Sequence, residues 1–201
     1  MVRMVTFRCL KRGLCCVKYW VPVTHLDLLR LEMYGDIDPE EVVCLRDARL
    51  SRAHSRIPKL LFRSRERYLA LRTRLGGGCV FLLDSGECSV HPFKPLVCRF
   101  YPFVYSVKPD GSIEISVGKL AARECPGLVL DGGPIDERIR ASLVRLARVR
   151  LRELELYRRA AAEWNGELDH SRARLSELVE FLMERAKRDF LALRAEGLWV
   201  K

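Results

Sequence analysis

The chain has 201 residues, of which 49% are hydrophobic and 31% charged, and carries a formal net charge of +10. That length and balance suit one folded domain, or a core with a helical appendage, and allow a sizeable apolar interior. No stretch approaches the roughly 18 consecutive apolar residues of a membrane span, and charges interrupt Met1–Gly13, where a secretory signal would need an apolar centre. A soluble, cytoplasmic protein without membrane association is expected.

In chain order, Val2–Phe7 reads as a short strand leading to the first cysteines. Thr24 then opens a helix, with Asp27 three residues later as in a capping box, and the helix runs to about Met33 and stops at Gly35. Asp38-Pro39-Glu40-Glu41 is a second start signal, with Pro just inside and acids in the first turn. The helix it opens is expected to pass through Cys44 until Pro58 ends or kinks it.

From Tyr68 to Val117 the pattern changes to strands. Tyr68–Arg72 and Cys79–Leu83 are short apolar runs bounded by glycines. Val104–Val107 and Ile113–Val117 flank Lys108-Pro-Asp-Gly-Ser112, a strong hairpin turn. After Asp131-Gly-Gly-Pro134, Ile139, Leu143, Ala147, Leu151 and Leu154 follow helical spacing. Leu175, Leu178, Leu182, Ala186, Phe190 and Leu193 do the same up to Gly197. The expected fold is therefore α+β. A small antiparallel sheet with cysteine-rich loops occupies residues 1–130, and a helical hairpin over 131–201 packs on it.

Eight cysteines need a reason in a reducing compartment: Cys9, Cys15, Cys16, Cys44, Cys79, Cys88, Cys98 and Cys125. Gly13 permits a tight turn between Cys9 and the Cys15–Cys16 pair. Cys79 follows three glycines, Cys98 follows Pro95 on a single helical turn, and Cys125 precedes Pro-Gly. Thiolates are soft donors that suit zinc and iron–sulfur clusters, so these loops are expected to hold a metal ion or cluster. Three alternatives stand beside this one: intracellular disulfides, as in hyperthermophiles, cysteines buried as small hydrophobes, and a nucleophilic Cys/His pair, which has no supporting motif. Cys15 and Cys16, if extended, would point to opposite sides, so that they address different metals or one of them is a supporting or reactive thiol. Cys44, read as helical, is equally a buried side chain or a ligand. The absence of Gln and the single Asn, Asn165, add a thermophilic signature.

At these residues the chain resembles the CxxCxxCC cysteine-cluster family, described as zinc- or iron-chelating and including flagellin lysine N-methylase-like members. The resemblance is carried by Phe7-Arg-Cys-Leu-Lys-Arg-Gly-Leu-Cys-Cys16, Val23-Thr-His-Leu-Asp-Leu-Leu-Arg-Leu31, Gly78-Cys-Val-Phe-Leu82 and Cys88-Ser-Val-His91. Its most specific stretch is Lys94-Pro-Leu-Val-Cys-Arg-Phe-Tyr-Pro-Phe103, and Cys125-Pro-Gly-Leu128 closes it. The resemblance implies metal chelation by Cys9, Cys15, Cys16, Cys79, Cys88, Cys98 and Cys125. Arg12 stands where the family has a cysteine, and His91 where it usually has an aromatic residue. A centre short of one ligand, recruitment of Cys44 or His91, and loss of one centre all remain open.

Two function classes follow. In the first, an iron–sulfur or zinc centre serves a redox or methyl-transfer component with a protein redox partner. Arg99, beside Cys98, would offset its negative charge. Gly76-Gly-Gly78 lacks the setting of a dinucleotide-binding loop. In the second, zinc stabilises an RNA- or ribosome-binding module. From Arg46 to Arg74 ten Lys/Arg stand against two acids. Arg49, Arg52, Arg56, Lys59 and Arg63 recur at three- and four-residue steps and would share a helical face toward phosphate. A solvated, arginine-rich surface is the plain alternative for that segment.

Overall fold

The computed structural model describes residues 3–50, 56–166 and 170–201. The chain enters through β1 (Thr6–Phe7), shorter than the sequence suggests, with Val5 making an isolated parallel bridge to Ile135. The helix α1 (Leu14–Lys18) follows, then α2 (His25–Gly35), which begins as its sequence requires. Thr24 Oγ1 accepts from the Asp27 N–H at 3.2 Å while Asp27 Oδ2 accepts from the Thr24 N–H at 3.0 Å. This reciprocal pair satisfies two of the orphan donors of the helix start. The first seven residues of α2, His25–Leu31, are all buried.

Past Asp38 the structure departs from the helical expectation. The helix α3 (Pro39–Val42) lasts one turn, and β2 (Val43–Asp47) begins directly after it. Adjacent β-branched Val42 and Val43 favour the extended form, and β2 pairs antiparallel with β4 (Arg65–Leu71), Cys44 lying opposite Ala70. Cys44 is therefore a strand residue. A 3₁₀ turn (Ala48–Leu50) follows, and β3 (Leu60–Phe62) completes the sheet in the order β2-β4-β3. The helical face drawn for the basic residues is thus not formed by those described. Arg49 sits in the 3₁₀ turn, Arg56 and Lys59 precede β3, and Arg63 lies in the β3–β4 turn. Arg52 lies outside the described residues.

Cys79–Leu83 is also not a strand but a run of turns, pinned by isolated bridges from Thr73 to Cys79 and from Leu82 to Cys88. The 3₁₀ turn His91–Phe93 leads to α4 (Leu96–Phe100). The expected hairpin forms as β5 (Phe103–Val107) and β6 (Ile113–Val117) around Lys108–Ser112. Then α5 (Ala121–Glu124) and β7 (Leu128–Val129) return the chain to β1.

The C-terminal part is helical, as its periodicity predicts: α6 (Glu137–Gly166) and α7 (Leu175–Ala195). Ion pairs from Arg152 to Glu196 at 2.6 Å and from Arg185 to Glu163 at 2.5 Å show that the two run antiparallel. The main apolar cluster takes Leu26, Leu28 and Leu31 from α2, Leu69 and Leu71 from β4, Tyr157 from α6 and Leu178, Leu182 and Leu193 from α7. Cys79 is buried in that cluster, and Cys16, Cys88 and Cys98 pack against it. A smaller cluster joins Phe100 and Phe103 to Leu143 and Ala147 of α6. Helices and small sheets thus form the floor on which the cysteine loops lie.

Candidate metal centre

Gly13 starts the site. Its φ of +63° lies in the left-handed region, and a methyl group there would meet the Gly86 carbonyl oxygen at 2.6 Å and the Leu82 side chain. Only glycine lets the Cys9–Cys16 segment approach the Cys79–Cys88 loop this closely. The Cys16 N–H then donates to the Gly13 carbonyl at 2.8 Å and opens α1. Because Cys15 and Cys16 are helical rather than extended, their sulfurs do not diverge: they lie 3.9 Å apart. Two thiolates on one tetrahedral zinc, each about 2.3 Å from the ion, are separated by about 3.8 Å.

The remaining loops are fastened to this pair by backbone. The Cys79 N–H donates to the Cys16 carbonyl at 2.8 Å, Leu82 N–H to Cys79 carbonyl at 2.9 Å, and His91 N–H to Cys88 carbonyl at 3.1 Å. Cys98 is set by α4, whose first N–H, from Leu96, donates to Asp27 Oδ1 at 2.9 Å. The capping carboxylate of α2 thereby also caps the turn that carries Cys98.

Five thiols bear on one another electrostatically as a result. Cys15 and Cys16 lie within hydrogen-bond distance of each other, either thiol able to donate, and Cys16 is also the chief influence on Cys88. This holds Cys15 down to about 6 and Cys88 down to about 7, with the Lys94 ammonium as a further cause in each case, while the same contacts drive Cys16 up. Burial pushes Cys79 up, as does the charge of Cys88 and Cys15. Burial likewise pushes Cys98 up, with Cys79 and Cys15 adding. Among the described residues, no group of three or more Cys, His, Asp or Glu side chains is arranged so that it could hold a metal ion. Cys15, Cys16 and Cys88 influence one another most strongly, and Cys79 and Cys98 feel them only through charge.

The other predicted residues stand at different distances from this group. Cys125 caps α5 and adjoins Tyr101, whose hydroxyl is pushed up to about 12 by burial and then by Cys125, Tyr19 and Cys15. Cys9 is exposed. It follows Arg8, whose N–H donates to the Gly127 carbonyl at 2.9 Å, so β1 carries it alongside the Cys125-Pro-Gly segment. Cys44 directs its thiol to the Leu71 carbonyl at 3.6 Å, and Arg46 and Arg72 are the charges that bear on it. His91 is half-buried, accepts from Lys94 Nζ at 3.5 Å, and is held low by burial and by that ammonium. Lys94, which the sequence reading quoted without a role, is the cation that bears on Cys15, Cys88 and His91 together.

Arg99 leads into a buried charge network that the sequence reading did not find. Arg30, Asp27 and Glu153 are fully buried. Arg30 makes a bidentate pair with Glu153 and lies 3.5 Å from Asp27 Oδ1. Arg99 donates from Nε to the Lys94 carbonyl at 2.9 Å. Burial lowers its pKa, Arg30 adds to this, and Asp27, Glu153 and Cys98 oppose it. Arg150, itself buried, faces Glu153 from the same helix. Arg30 holds both carboxylates, Arg99 and Arg150 bear on them through charge, and buried Nη atoms of Arg99 and Arg150 lack partners among the described residues. An excess cation with an unused donor beside Cys98 fits a negatively charged thiolate centre. The signal was present in the sequence, since Arg30 and Glu153 fall on the apolar stripes of their helices.

The thiol order gives an expected labelling pattern for reduced, metal-free protein. Iodoacetamide at neutral pH should modify Cys15 and Cys88 ahead of Cys44, Cys79 and Cys98, because the thiolate is the nucleophile. Cys15 labelling should be half-maximal near about pH 6. Peptide mass spectrometry would read this, and Cys44 reacting before Cys15 would refute the assignment.

A family model for a domain described as zinc- or iron-chelating matches residues 8–126, more than half of the sequence, and so covers all eight cysteines. No curated protein and no solved structure matches. The chain belongs to the CxxCxxCC family, whose domain is described as zinc- or iron-chelating.

Proposed function

We propose that this protein chelates zinc or an iron centre through thiolates of Cys15, Cys16, Cys79, Cys88 and Cys98, with Cys125 and Cys9 at the margin of the same site. The observation that carries this reading is the 3.9 Å approach of the Cys15 and Cys16 sulfurs, with the Cys79 N–H bonded to the Cys16 carbonyl, in a segment that matches a zinc- or iron-chelating family model. A bound centre would supply electron or group transfer if it contains iron, or folding energy if it is zinc. Lys94 and Arg99 are the chain's own contribution to its charge: both face thiols, and Arg99 retains a buried donor. Of the two classes, the redox or methyl-transfer component has this positively charged, thiol-rich setting in its favour. The cation excess suits a centre that carries net negative charge.

The test is elemental analysis of anaerobically purified protein together with its visible spectrum. Iron with a brown charge-transfer spectrum supports the redox reading, and colourless zinc-loaded protein supports a structural centre. Cys44→Ser should keep the wild-type metal content, since that thiol bonds to a backbone carbonyl across the sheet. Wild-type protein that binds neither metal overturns the proposal.

A further inference from the structure

The β3–β4 hairpin carries a second, chemically different site. Phe62 pairs with Arg65, so Arg63 and Ser64 alone form the turn, and both have positive φ, 49° and 60°. This is the two-residue type I′ geometry, in which Asn-Gly is the inexpensive choice. Arg63 places a long charged side chain at a strained position. Its backbone N–H donates to the His170 carbonyl at 2.9 Å and its Nε to the Ala173 carbonyl at 3.2 Å. These bonds fix the guanidinium 5.4 Å from the Phe62 ring centroid and leave its Nη atoms unclaimed among the described residues.

Along β4, Arg65 and Arg67 are two residues apart and share one face of the sheet. Phe62, opposite Arg65, lies on that face, as does Leu45, opposite Leu69. Together Leu45, Phe62, Arg63, Arg65 and Arg67 line an open groove of about 470 Å³, within the usual range of small-ligand sites. Its charge is poorly compensated. Asp47 takes Arg67 at 3.3 Å but also Arg49 at 3.0 Å, and Arg65 has no carboxylate partner among the described residues.

We propose that this groove binds a nucleoside phosphate unit, the base against Phe62 and Leu45 and the phosphate between Arg63 and Arg65. Guanidinium forks match phosphate oxygens in bidentate fashion, and an aromatic face beside them accepts a base without regard to sequence. A bare phosphate would make no use of the apolar floor. The site differs from the helical face expected from the sequence: Arg63 is common to both, whereas Arg49 and Lys59 are engaged by Asp47 and Glu66. It is independent of the thiol centre.

The experiment is fluorescence anisotropy of a labelled single-stranded oligouridylate at several salt concentrations, with uridine monophosphate and inorganic phosphate as competitors. Binding should weaken with salt, and Arg65→Gln should weaken it about tenfold and reduce the salt slope by about one. Phe62→Leu, which keeps the apolar floor but removes the ring, should also cost about tenfold. Arg138→Gln, at an exposed position on α6, should leave binding unchanged. Displacement by the mononucleotide supports a single-nucleotide site, and displacement only by unlabelled oligonucleotide supports a strand-binding site. Absence of salt-sensitive binding overturns the proposal. Equal competition by inorganic phosphate, or an Arg65→Gln variant that binds as wild type does, also overturns it.

Discussion

Glu153→Leu should destabilise the protein by about 3–5 kcal/mol, the usual consequence of removing one partner from a buried ion pair. For a chain of this size that is a fall in Tm of roughly 10 °C. Glu153 and Arg30 are both fully buried, and Arg30 also reaches Asp27, donates from Nε to the Val200 carbonyl at 2.7 Å, and stacks 4.2 Å from the Trp199 ring centroid. Without Glu153, the charges of three guanidinium groups would be opposed by a single carboxylate. Arg30→Met with Glu153→Leu should recover much of the loss, because an apolar pair removes the charge and its desolvation cost together. Urea or thermal denaturation of the single and double variants measures both effects. A Glu153→Leu protein as stable as wild type would show that the pair is not buried in solution.

The sequence announced this protein unevenly. Capping chemistry and periodicity are local, so α2, the β5–β6 hairpin and the two C-terminal helices were legible from Thr24, Lys108–Ser112 and the leucine spacing. Cys44 and Cys79–Leu83 were misread because their conformation depends on distant pairing. Cys44 becomes a strand residue by lying opposite Ala70, and the Cys79 turn is held by the Cys16 carbonyl and the Thr73 bridge. Family motifs pointed to the thiols, but not to the 3.9 Å approach of the Cys15 and Cys16 sulfurs, which depends on α1 being helical. Asp27 was legible as a cap, whereas its second bond, to the Leu96 N–H, joins residues 69 apart in sequence. No local rule links those two.

That second bond ties the turn bearing Cys98 to the buried core of the chain. Asp27 belongs to α2 and to the buried charge network, and it also caps the turn bearing Cys98. Lys94 lies four residues before Cys98 and bears on Cys15, Cys88 and His91. The loops that carry the thiols are short and irregular, and they are joined to one another chiefly by single backbone hydrogen bonds. A bound centre would replace those weak links by several strong ones.

Stripping metal from the reduced protein with a chelator should therefore lower its Tm by roughly 10 °C. A ligand that binds only the folded state stabilises it by about 4 kcal/mol when present at about a thousand times its Kd. Cys16→Ser should have the same effect without chelator, since it removes the thiol that bears most on Cys15 and Cys88, and adding zinc should not restore its Tm. The effect must depend on pH in a defined direction. Chelation requires thiolates; Cys16, Cys79 and Cys98 are held above the ordinary thiol value, whereas Cys15 and Cys88 sit near about 6 and about 7. Each ligand still protonated in the free protein makes apparent affinity rise by about one decade per pH unit. Metal should therefore be held more tightly as pH rises, and be released most readily below about pH 6, where Cys15 also takes up its proton. Melting curves with and without chelator across this range, with Cys44→Ser as the control that keeps its metal, decide the matter. A Tm that ignores the chelator, in a protein whose Cys16→Ser variant keeps full metal content, would remove Cys16 from the centre.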